Sequence, residues 1–95
     1  HWVFDYGIED ATEMLGSIWE NTRGTLFFES GEDTDKKEFH LPFGDQDARF
    51  WITNYLGASC PGSRVEVIGE TPVGRYEKYG DSDERRALFM VTRAQ

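Results

Sequence analysis

Two apolar stripes of identical spacing constrain this chain more than any other feature. Ala11, Met14, Leu15, Ile18 and Trp19 fall at i, i+3, i+4, i+7 and i+8; Ala48, Trp51, Ile52, Tyr55 and Leu56 repeat that spacing 37 positions on. Each stripe covers one side of a helix and requires a surface to bury it. Asp10 reads as the N-cap of the first helix, with Glu13 three residues later as in a capping box, and Gly24 lies beyond its end. Asp45 or Asp47 reads as the cap of the second helix and Gly57 as its stop, while Phe50 falls off the stripe toward solvent.

The segments between and around the stripes read as strands, rich in Val, Ile and Phe. They are Trp2–Phe4, Thr25–Ser30, Glu38–Phe43, Arg64–Ile68 and Ala87–Thr92, with a turn at Ser30–Asp33. Pro42 has no backbone donor, so the third strand ends or becomes irregular there. The order strand–helix–strand, strand–helix–strand, then a fifth strand resembles the split βαβ pattern of ferredoxin-like folds. The resulting expectation is an α+β two-layer sandwich. It has an antiparallel sheet, two helices on one face and an extra C-terminal strand. With 95 residues and no Pro- or Ser-rich linker, residues 1–95 read as one domain.

The last strand strains that scheme. Ala87, Phe89 and Val91 alternate with Leu88 and Met90, so both of its faces are apolar. Such strands are normally buried on both sides. Two arrangements satisfy this one: a central place in a different topology, or a partner on its second face, a second copy of the chain included.

Charge narrows function. The net charge is −8, which opposes generic nucleic-acid and anionic-membrane binding. The surplus is confined to one half: residues 1–47 carry net −9 and residues 48–95 net +1. No apolar run approaches the length of a membrane span, and the sequence does not open on a charged segment followed by an apolar stretch. The single cysteine, Cys60, allows no intrachain disulfide and fits a reducing compartment; the expected location is cytoplasmic.

Motifs for chemistry fail when tested. Gly69–Gly74 has the glycine spacing of a phosphate loop but is followed by Arg75-Tyr76, not Lys-Ser/Thr. Counted from Asp33, the calcium-loop positions six and twelve are Glu38 and Gly44, so that pattern fails too. Cys60 would need a base to act as a nucleophile, and His40 is the only internal histidine. Lys37, Phe39, Leu41 and Phe43 faintly echo an RNA-binding strand, without its basic-glycine-aromatic signature. No metal or cofactor is expected.

The leading expectation is therefore a non-enzymatic acidic module that binds, and in doing so can inhibit, a protein with a basic surface. Its contact residues are Glu9, Glu13, Glu20, Glu29, Glu32, Asp33 and Asp35. A second reading is a dimeric small-molecule-binding domain or small enzyme using His40 and the long 70–86 connection, with Arg75, Tyr76 and Tyr79 as ligand candidates. A third is an accessory structural domain of a larger assembly.

Overall fold

The computed structural model of the protein describes residue 4 and residues 7–30, 41–72 and 85–94. Five elements follow in chain order: α1 (Ile8–Glu20), β1 (Leu26–Phe28), α2 (Ala48–Ser59), β2 (Ser63–Pro72) and β3 (Arg85–Arg93). This is a small α+β fold, two helices with an antiparallel three-stranded sheet ordered β1-β3-β2.

The C-terminal strand β3 is central. It pairs with β1 through Leu26↔Val91, Phe27↔Met90 and Phe28↔Phe89. It pairs with β2 from Ser63↔Arg93 to Pro72↔Arg85, with a bulge between Val67 and Gly69. One of its apolar faces, Ala87, Phe89 and Val91, is buried in the core, while Leu88 and Met90 on the other are half-buried. Of the two arrangements open to this strand, the described sheet has the central one, and the ferredoxin-like split βαβ order is not seen in it. Here β3 inserts between the strand that follows α1 and the strand that follows α2.

Both helices bury the same subset of their stripes. Ala11, Leu15 and Trp19 of α1, and Ala48, Ile52 and Leu56 of α2, are all buried. They share one core with Phe28, Ala87, Phe89 and Val91. Burying the row at i, i+4 and i+8 removes apolar side chains from water, with Leu15, Ile52 and Leu56 contributing roughly 1.5–3 kcal/mol each. The second rows differ. Trp51 and Tyr55 of α2 stack at 4.9 Å and receive Phe4 edge-on, at 5.7 and 5.6 Å between ring centroids. Met14 and Ile18 of α1 stay exposed, against the expectation that the whole stripe is buried.

The helix ends depart from the sequence reading in instructive ways. Helix α1 begins at Ile8, with Gly7 at the N-cap in a left-handed conformation (φ 94°) and no side-chain cap. Gly7 N–H donates to Phe4 O at 3.1 Å, so Phe4 opens a tight turn instead of ending a strand. That turn carries its ring onto α2 and starts the helix before Asp10. Asp47 caps α2 as expected, accepting from Phe50 N at 3.0 Å. The helix then passes through Gly57 and stops at Cys60 (φ −118°, ψ 79°). Cys60 precedes Pro61, and a residue before proline is pushed out of helical geometry.

Leu41, Pro42 and Phe43 lie outside any strand, and Phe43 packs into the core. The rest of the expected third strand, the Ser30–Asp33 turn beyond Ser30, and Trp2 and Val3 lie outside the described residues.

Candidate protein interface

Helix α1 carries Glu9, Asp10, Glu13 and Glu20 and no lysine or arginine. At 100° per residue, Glu9, Glu13 and Glu20 fall within an arc of about 40°, and the helical rise spreads them over about 16 Å. All three are exposed. They flank the edge of α1 that meets α2, where Thr12 Oγ1 lies 3.1 Å from Tyr55 Oη. The exposed Met14 and Ile18 occupy the opposite flank of the same helix. The arrangement is a line of carboxylates and a pair of apolar side chains on one rigid element.

This placement opposes local helix physics at two points. Glu9 and Glu13 are like charges at i, i+4, which destabilises a helix by a few tenths of a kcal/mol. Glu20 lies at the C-terminus, where the helix dipole disfavours an anion. No basic residue stands in the last turn of α1. A cation is supplied from the sheet instead. Arg93 Nη2 donates to Trp19 O at 2.8 Å and Thr22 O at 3.0 Å. Its guanidinium also lies over the Trp19 ring, 4.2 Å from the centroid. The indole Nε1–H donates to Pro61 O at 3.0 Å, which ties α1 to the turn after α2. This clasp was not foreseen from the sequence. A C-terminal arginine and an aromatic 74 positions earlier carry no local signal of their meeting.

The other expected contact residues divide. Glu29 is exposed just after β1 and is engaged in an interaction of its own. Glu32, Asp33 and Asp35 lie outside the described residues, as do His40, Arg75, Tyr76 and Tyr79. The described structure thus unites Glu9, Glu13 and Glu20 on one element and sets Glu29 at the end of another.

Groups for catalysis are not assembled among the described residues. No cluster of three His, Cys, Asp or Glu side chains is placed there to hold a metal ion. Cys60 is fully buried, and burial pushes its thiol pKa up, with Arg93 only partly opposing this. That is the reverse of an activated nucleophile. A groove of about 380 Å³ lies beside Gly16, Trp19, Ser59 and Arg93. The Arg93 contacts just described belong to the clasp that joins sheet and helix. Among the described residues no helix is long and apolar enough to cross a membrane. No protein family, curated protein or solved structure matches the chain.

Proposed function

We propose that the protein is an acidic binding module that docks α1 on the basic surface of a protein partner. One observation carries the reading. Four carboxylates and no cation lie on α1, and Glu9, Glu13 and Glu20 are aligned along one exposed flank, where the Glu9–Glu13 repulsion and the place of Glu20 at the C-terminus oppose the helix's own stability. Sequences break local rules mainly where function or strain requires it. Concentrated negative potential accelerates encounter with a positive surface and falls with salt. The contact in this reading is carried by the carboxylates, since the exposed Met14 and Ile18 lie on the opposite flank of α1. Glu29 and the carboxylates of Glu32, Asp33 and Asp35 extend the acidic surface in this reading. Inhibition follows where the covered basic surface is itself a working site. The two-layer arrangement, both helices on one face of the sheet, is part of the proposal because it leaves the outer flank of α1 free for docking.

The test is affinity capture from the native source with the whole chain as bait. The expected result is a basic protein retained at low ionic strength, released at moderate salt, and lost when Glu9, Glu13 and Glu20 are all changed to Gln. Retention by the triple variant with an unchanged salt response would overturn the proposal.

A further inference from the structure

The groove of about 380 Å³ lies where α1, the end of α2 and β3 meet. Its size is within the range of about 300–1,000 Å³ usual for small-molecule clefts. Its described lining is Gly16, Trp19 and Glu20 of α1, Ser59 of α2, Pro61, and Arg93 of β3. Three of these residues keep a capacity that the fold itself does not use. Gly16 stands inside α1, where glycine weakens a helix relative to alanine. Packing does not require it: a Cβ there would meet nothing nearer than Ser59 O at 4.0 Å, an ordinary contact. The space such a side chain would take is the groove. Ser59 is 8% exposed, yet its hydroxyl makes no hydrogen bond among the described residues. Buried hydroxyls are costly to leave unpaired and normally find a partner. Arg93 spends Nη2 on Trp19 O and Thr22 O. Its Nε and Nη1 carry the remaining N–H groups of the guanidinium and donate to no described residue.

We propose that this groove is a binding site for a free α-amino acid. Its carboxylate accepts from Arg93 and Ser59, its ammonium donates to Glu20, and its α-carbon lies over Gly16. Charge selects that class of ligand. The charged residues of the described lining are Arg93 and Glu20, one of each sign, and both are exposed. A simple anion would gain Arg93 but meet Glu20 and a chain at −8. A simple cation would gain Glu20 but meet the guanidinium. A zwitterion satisfies both groups, and its zero net charge makes it indifferent to the charge of the whole chain. Trp19 and Pro61 supply the apolar wall beside it. The site needs no protein partner, so it stands or falls separately from docking through α1.

The test is an NMR titration of the whole chain with each of the standard amino acids in turn. It follows the Gly16 and Ser59 amides and the Arg93 Nε–H up to about 10 mM, a range suited to a ligand of so few atoms. The expected result is a saturable shift of all three signals with at least one amino acid. Its N-acetyl derivative, which lacks the ammonium, and its amide, which lacks the carboxylate, each bind about tenfold more weakly or not at all. Gly16→Leu fills the groove and abolishes the response. Ser59→Ala weakens binding about threefold or more, while its thermal stability stays at or above wild type because no hydrogen bond is lost. That variant decides the matter even if Gly16→Leu does not fold. Glu20→Gln weakens binding of the free amino acid and leaves that of the N-acetyl derivative unchanged. No saturable shift with any amino acid would overturn the proposal, the groove then holding water only. So would a response that both derivatives reproduce in full, or one that Ser59→Ala and Glu20→Gln leave as in wild type.

Discussion

Arg93 illustrates how much one side chain does in a small fold. It caps the carbonyls of Trp19 and Thr22, covers the Trp19 ring and sits on the central strand. Charge-assisted hydrogen bonds and a cation–π contact at a partly exposed site together suggest that Arg93→Ala costs about 1–3 kcal/mol. Urea denaturation checks this; Arg93→Lys should recover only part of the loss, because an ammonium lacks the planar fork. Cys60 gives a pH signature. Burial raises its folded-state pKa, so the unfolded chain releases the thiol proton first. Stability from the neutral thiol is complete below the ordinary thiol range and declines as pH rises from there toward the raised folded value. Chemical denaturation from neutral to alkaline pH should show that decline in the wild type and a smaller one in Cys60→Ala. An identical decline in both would assign the effect to other groups.

At the scale of the element, the two helices present one stripe pattern with two outcomes. Ile52 is fully buried in α2, whereas Ile18 of α1 is 42% exposed. Ile52→Ala should cost about 2–5 kcal/mol, as a core truncation does. Ile18→Ala should stay within roughly 0.5 kcal/mol, as expected on a surface. Equal losses would mean that Ile18 is covered. Asp47→Ala removes the α2 cap and should cost about 1 kcal/mol by thermal or urea melting. Both helices, the Asp47 cap and three strands were legible in the sequence, because amphipathic spacing and cap chemistry are local. The start of α1 was not. Its turn depends on Phe4 reaching Trp51 and Tyr55, a contact across more than 40 positions. The place of β3 was half legible: its two apolar faces announced a conflict with an edge position, but only pairing with β1 and β2 resolved it. Of the interface, the carboxylates of α1 were legible as composition. Their alignment on one flank, opposite the exposed Met14 and Ile18, required the helix to be oriented by its core.

At the scale of the whole molecule, the charge of −8 acquires direction. Helix α1 is uniformly acidic, α2 carries Arg49 and no acidic residue, and Arg49 pairs with Glu70 of β2 at 2.8 Å. On β2, Arg64 pairs with Glu66. In the proposed function the acidic flank of α1 is the surface whose affinity falls as ions are added. The most direct test of the acidic flank pairs wild type with the Glu9→Gln, Glu13→Gln, Glu20→Gln chain in affinity capture at two ionic strengths. The expected result is one basic protein held by the wild type at low salt, released at moderate salt and never held by the variant. A partner held equally by both chains at both ionic strengths would contradict it.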